Sequence, residues 1–205
     1  MDQKYPENKA LNRAQNLSDL TLKELWELFP IFLTKHSENW KAWFESEKEE
    51  LTRLLSDDPA GQQVRRIEHV GSTSVETIWA KPIIDILVEL EPGADMGRVR
   101  RILEQNGYIC MMEKEDRLSF NKGYTPRGFA EKVYHLHLRT AGDHDELYFR
   151  DYLKDHPDVA GEYEALKLKL WKLYEHDRDS YTEHKTEFVR NYTCEAKVLY
   201  GDRYE

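Results

Sequence analysis

The chain has 205 residues, 40% of them hydrophobic and 34% charged, which suits one compact domain and excludes disorder over most of its length. Lys plus Arg number 30 against 39 Asp plus Glu, a formal charge of −9, so a long nucleic acid is disfavoured as a partner. Cys110 and Cys194 are too few for a disulfide scaffold and lack zinc-like spacing, and neither a signal peptide nor a membrane-spanning apolar run is read, so the cytoplasm is expected and a membrane partner is not.

Residues 1–16 are rich in Asn, Gln and Lys and show no hydrophobic period, which predicts a flexible arm over 1–17 ahead of a single domain at 18–205. Thr21 with Glu24 is a capping-box pattern, and Leu22, Leu25, Trp26 and Phe29 carry a helix as far as Pro30. Ile31 to Thr34 reads as a short strand. A second helix follows from a Ser37 cap, with Trp40, Trp43, Phe44, Leu51, Leu54 and Leu55 as its apolar stripe. Val64 to Val70 and Ile83 to Leu90 read as strands, the second nearly all apolar apart from Asp85 and Glu89. Met96 to Leu103 is a helix closed by Asn106-Gly107, and strands are expected at Tyr108–Met111, Leu118–Phe120 and Lys132–Arg139. From Asp145 onward the pattern is helical, with Pro157 opening one helix and Asp177 to Ser180 the last.

The turn Gly71-Ser72-Thr73-Ser74 follows a strand directly. A glycine there lets backbone approach a phosphate, and the hydroxyls and amides beside it donate to phosphate oxygens. Asp85 lies in the next strand among Ile83, Ile84, Ile86, Leu87 and Val88. An ionised carboxylate in such a strand costs several kcal/mol unless cations or donors compensate, which makes it a candidate metal ligand or catalytic group. His135 and His137, two apart on one strand, project from a common face and suit metal or phosphate; His69 would join them if its strand neighbours theirs. Candidate partners for substrate oxygens are Lys81, Lys122, Arg127, Arg139, Arg150, Lys167 and Lys185. Glu89 shares a face with Asp85 and is a candidate second carboxylate, although its place at the strand end favours a solvated charge; Asp143-His144-Asp145 has metal-like residues but reads as a solvated turn.

The runs His69-Val70-Gly71-Ser72-Thr73-Ser74-Val75, Ala80-Lys81-Pro82-Ile83-Ile84-Asp85-Ile86 and His135-Leu136-His137 resemble the GrpB family of nucleotidyltransferase-like proteins. The resemblance continues through Phe149-Arg150-Asp151-Tyr152-Leu153, His156-Pro157, Tyr163, Leu166-Lys167, Asp177-Arg178, Tyr181, Lys185 and Phe188. It implies an α/β (α+β) fold of the polymerase-beta-like superfamily, with a mixed sheet flanked by helices and an α-helical C-terminal half. It also implies that Gly71 and Ser72 hold the phosphates of a nucleoside triphosphate and that Asp85 binds a divalent metal, Mg or Mn, with Zn an alternative if histidines ligate. The superfamily's second carboxylate would fall two residues after Asp85, where this chain has Leu87. Three functions follow as expectations: nucleotidyl transfer to a small-molecule or protein acceptor, a non-catalytic nucleotide- or phosphate-binding module that supports a protein partner, or metal-dependent hydrolysis of a phosphate ester.

Overall fold

The computed structural model describes residues 17–59 and 61–204. The arm expected at 1–17 therefore lies outside the described residues except for Leu17, which opens a short 3-10 turn. Helix α1, Leu22–Leu28, begins at the Thr21 capping box: the Thr21 hydroxyl accepts from the Glu24 amide while the Glu24 carboxylate accepts from the Thr21 amide. The strand expected over Ile31 to Thr34 is reduced to one bridge, Thr34 to Ala80. The Ile31 amide donates to the Glu175 carbonyl instead, and Ile31 and Leu33 are buried as packing residues.

Helix α2 (Asn39–Ser56) precedes strand β1 (Val64–Val70), a 3-10 turn at Ser72–Ser74 and strand β2 (Ile84–Leu90). Helix α3 (Met96–Gln105), strands β3 (Ile109–Lys114), β4 (Arg117–Thr125) and β5 (Gly128–Thr140), and helices α4 (Asp145–Asp155), α5 (Pro157–Tyr174) and α6 (Arg178–Tyr200) complete the chain. The sheet runs β1-β2-β5-β4-β3, with β2 and β5 parallel and the other pairs antiparallel. This is the expected mixed sheet with a helical C-terminal half. Strands β4 and β5 run further toward each other than expected, because Gly123 at +90° forms a bulge that glycine alone tolerates: a β-carbon there would lie 2.3 Å from the Lys132 carbonyl oxygen. No helix among the described residues is long and apolar enough to cross a membrane.

Period-two alternation decides which face each residue joins. Ile84, Ile86, Val88 and Leu90 of β2 pack with Tyr134, Leu136 and Leu138 of β5 against Trp40, Phe44, Leu51 and Leu55 of α2 and Val99 and Leu103 of α3. Asp85, Leu87 and Glu89 occupy the other face, toward the C-terminal helices, where Leu87 packs against Val70 and Leu147. The α2 and α3 side of the sheet is thus mainly apolar, while Asp85, Glu89, His135 and His137 lie on the side beneath α4, α5 and α6.

Candidate functional site

Three elements converge on Asp85. The β1–β2 register sets Val70 opposite Asp85, which brings Gly71 alongside the carboxylate. The parallel β2–β5 register sets His135 opposite Asp85 and His137 opposite Leu87. His135 Nδ1 lies 3.4 Å and His137 Nε2 3.7 Å from Asp85 Oδ1. Burial acts to raise the Asp85 pKa, but the hydrogen bonds and charge of His135 and His137 outweigh it and hold the carboxyl well below its usual range.

The outer nitrogens of both histidines are also committed. The Arg178 guanidinium donates to the Tyr124 hydroxyl at 2.9 Å, and that hydroxyl lies 2.8 Å from His135 Nε2. His135 therefore accepts at Nε2 and presents Nδ1–H to Asp85. Arg139 Nη2 lies 3.4 Å from His137 Nδ1; since a guanidinium only donates, His137 accepts at Nδ1 and presents Nε2–H to Asp85. Burial lowers the His135 pKa, which agrees with a neutral ring at that position.

A cavity of about 190 Å³ opens beside this carboxylate, lined by Ser72, Thr73 and His135 and by four cationic side chains: Lys81, Lys167, Arg178 and Lys185. Asp85 is the only carboxylate in that lining among the described residues. Lys81 and Lys185 sit over the Tyr181 ring at 4.3 and 4.2 Å from its centroid. Lys167, 2% exposed, lies 4.9 Å from the Tyr163 centroid and donates to the Trp79 carbonyl, while the Trp79 amide donates to Glu164 at 2.6 Å, so α5 fixes the loop leading to Lys81. Desolvation, reinforced by the Lys185 charge, lowers the Lys167 pKa to about 7; desolvation lowers Lys185 to about 8 and Lys81 well below its usual value.

The structure gathers Gly71, Ser72, Thr73, Lys81, Asp85, His135, His137 and Lys167 at or beside this cavity, and it separates three other expected site residues from it. His69 stands opposite Ile86 and so faces α2, on the other side of the sheet from Asp85. There it stacks on Phe44 at 4.8 Å and bonds Thr73 Oγ1 at 3.0 Å, and desolvation lowers its pKa to about 4. Arg150 is occupied by Asp151 at 2.6 Å, Glu68 at 3.0 Å and the His69 carbonyl at 3.0 Å, so it braces α4 against β1. The Ser74 hydroxyl is turned back onto the Gly71 carbonyl at 2.6 Å, shaping the turn from within. Lys122, a further candidate, pairs with Glu47 at 2.5 Å on the α2 face.

Two solvated charges of the sequence reading prove to be buried. Glu89 is fully buried, pairing with Arg66 at 2.6 Å and His144 at 2.9 Å, and His144 is itself 3% exposed. Tyr124 and Arg178 escaped the sequence reading as site residues. Arg178 stands beside Asp177, which suggests a local ion pair, whereas Asp177 caps α6 through the Ser180 amide and releases Arg178 toward the sheet.

The donors do not fit a divalent cation held by the protein. Among the described residues no group of three or more His, Cys, Asp or Glu is placed to hold a metal ion. Leu87, where a second carboxylate would be needed, is fully buried and apolar. Of the metal ligand set expected from Asp85, His69, His135 and His137, three form a polar cluster around the Asp85 carboxylate, and His69 lies on the other face of the sheet.

The sequence profile of the family described as GrpB protein matches residues 30–195. The chain belongs to the GrpB family. GrpB of Alkalihalophilus pseudofirmus, described as a glutamate-rich protein, is 38% identical over 165 residues, covering 78% of this chain and 91% of the relative. The crystal structure of GrpB from Enterococcus faecalis superposes with a TM-score of 0.70 at 30% identity, covering 82% of this chain and 99% of that one. The chain spans 54% and 61% of the length of two further curated relatives. A remoter likeness, with a TM-score of 0.47 and 12% identity over 67% of this chain and 43% of the other, is to Cid1 poly(U) polymerase solved with MgGTP.

Proposed function

We propose that this GrpB-family chain binds the phosphates of a nucleoside triphosphate, or of a comparable polyphosphorylated small molecule, in the cavity beside Asp85. The observation that carries this reading is a charge imbalance: four cationic side chains meet one carboxylate in one small cavity. Each amine is desolvated, and Lys81 and Lys167 are also repelled by neighbouring cations, so a ligand bringing several negative charges relieves a cost already present in the empty protein. The Gly71-Ser72 turn supplies backbone and a hydroxyl for close approach to the same phosphates. Asp85, held anionic by His135 and His137, keeps the cations in place before the ligand arrives. A divalent ion would enter with the ligand's own phosphates rather than at a separate protein site.

A second reading, nucleotidyl transfer to a small molecule or protein, is favoured by the Gly71 turn standing directly against the Asp85 carboxylate, the placement that the family resemblance implies for phosphates beside a metal-binding acid. The two readings separate in a thermal-shift panel of inorganic tripolyphosphate and the four nucleoside triphosphates, each with Mg²⁺, Mn²⁺, Zn²⁺ or chelator. A ligand at a hundredfold its dissociation constant adds about 2.7 kcal/mol. Phosphate binding alone gives a shift that survives chelator and is lost in Lys81→Met and Lys185→Met. A shift that requires metal and vanishes in Asp85→Asn favours transfer, and release of pyrophosphate rather than inorganic phosphate then separates transfer from hydrolysis. No shift with any ligand sinks both readings.

A further inference from the structure

A second cavity, of about 440 Å³, lies between α4 and α6, and Lys185 and Thr182 line both it and the cationic cavity. Gly71 stands in its wall, so the phosphate turn opens onto it as well. The volume falls within the roughly 300–1,000 Å³ of small-molecule sites. Lys185, Arg190 and Lys197 line it, Lys197 being paired with Asp145, but its chemistry is more mixed than that of the lysine cavity. Phe149 and Val189 supply apolar walls, and Glu146 and Thr186 supply oxygen acceptors.

Glu146 is the informative residue. Its Oε1 accepts from Arg139 Nη2 at 2.9 Å, whereas its Oε2 is buried with no hydrogen-bond partner among the described residues. A buried carboxylate oxygen without a donor costs about 1–3 kcal/mol or more, and a ligand group with an N–H or O–H removes that cost. The Thr186 hydroxyl donates to the Thr182 carbonyl at 3.2 Å, which leaves its oxygen free to accept. The cavity therefore adds acceptors and apolar surface to a site whose other half is dominated by cations.

Resting on the phosphate-binding reading, we infer that the cavity between α4 and α6 receives the nucleoside portion of the ligand, a hydrogen-bond-donating ring system, while its phosphates lie among Lys81, Lys167, Lys185 and Arg178. Lys185 and Thr182 stand at the junction, where the first phosphate leaves the sugar. Nucleotide is thereby distinguished from bare polyphosphate by contacts that the lysines do not make.

The test is metal-free calorimetric titration of the full chain with ATP, GTP, CTP and UTP beside inorganic tripolyphosphate, which carries comparable charge but no nucleoside. At least one nucleotide is expected to bind tenfold or more tightly than tripolyphosphate. Thr186→Trp, a change at an exposed lining position, is expected to abolish that advantage and leave tripolyphosphate binding within twofold of wild type. Glu146→Gln, which preserves the acceptor facing Arg139, is expected to lower nucleotide affinity alone. If Glu146→Gln fails to fold, Thr186→Trp decides. Equal or weaker binding of every nucleotide relative to tripolyphosphate overturns the inference but leaves the phosphate site standing, and so does an advantage that persists in Thr186→Trp. Failure of tripolyphosphate and nucleotides alike overturns the phosphate reading and this inference with it.

Discussion

Gly71 lies so close to Asp85 that a β-carbon at position 71 would stand 2.2 Å from the Asp85 carboxylate oxygen Oδ2. Its backbone, at φ 67° and ψ −173°, belongs to a region essentially restricted to glycine. Two independent constraints thus act at one residue, one steric against Asp85 and one conformational. Gly71→Ala should destabilise the fold by about 1–3 kcal/mol for the backbone term alone, with the clash added to it. Combining it with Asp85→Ala removes the two closest contacts, those with the carboxylate, but leaves the position-85 β-carbon 2.8 Å away and the strain unchanged. A double-mutant cycle by urea denaturation should therefore show the pair costing less than the sum of the single changes; strict additivity would mean that the approach is not felt.

The lysine pKa values give the site a pH dependence of known sign. Lys167 at about 7 and Lys185 at about 8 lie below the 10.5 of a free amine, so the folded chain binds fewer protons than the unfolded one between those limits. Stability of the empty protein should accordingly rise with pH through that window. Bound phosphates favour the charged amines, so binding at pH 8 to 9 should take up protons and weaken as pH rises. Calorimetry in two buffers of different ionisation enthalpy measures the uptake directly; no uptake would contradict the assignment of these lysines to the ligand.

In the proposed phosphate site Asp85 would oppose the ligand's charge while offsetting that of the cations around it. Asp85→Asn should lower the melting temperature of the empty protein, because the repulsion among Lys81, Lys185 and Arg178 loses its counter-charge. It should also tighten metal-free tripolyphosphate binding by about tenfold, or ~1.4 kcal/mol. Weakened binding would instead mean that the carboxylate contacts the ligand through a cation.

Glu89 shares a sheet face with Asp85 but serves a different purpose. Fully buried between Arg66 and His144, it ties β1, β2 and the start of α4 together. Glu89→Gln should cost roughly 3–5 kcal/mol, as removal of one partner of a buried ion pair does. Phosphate affinity, measured at a temperature where the variant remains folded, should be unchanged.

Much of this architecture can be read from residue order. The Thr21 capping box, the apolar stripe of α2, the proline opening α5 and the run of β2 each satisfy a local rule and formed close to where the pattern placed them, but the expected Ser37 cap did not form: α2 starts at Asn39 after Glu38, without a side-chain cap. Gly71, Asp85, His135 and His137 were also legible, because a turn glycine and a charge within an apolar strand conflict with local preference. Partner identity was not legible. His69 could be assigned to a face only through the β1–β2 register, and antiparallel register depends on the whole sheet rather than on β1. Arg178 was hidden by its neighbour Asp177, whose capping role appears only when α6 has a defined start. Glu89 and His144 are far apart in sequence, and their burial arises from the closure of α4 over the sheet.

The parallel pairing of β2 with β5 also has a kinetic consequence. Asp85 and His135 become neighbours only after the intervening chain, which contains α3, β3 and β4, has been closed into a crossover. Such non-local pairing is slow to nucleate compared with helices and hairpins. The β4–β5 hairpin and the separate helices can form while Asp85 is still remote from its histidines. A refolding chain should therefore regain most of its helical signal before it can bind phosphate, and the appearance of binding would time the closure of the central strand pair.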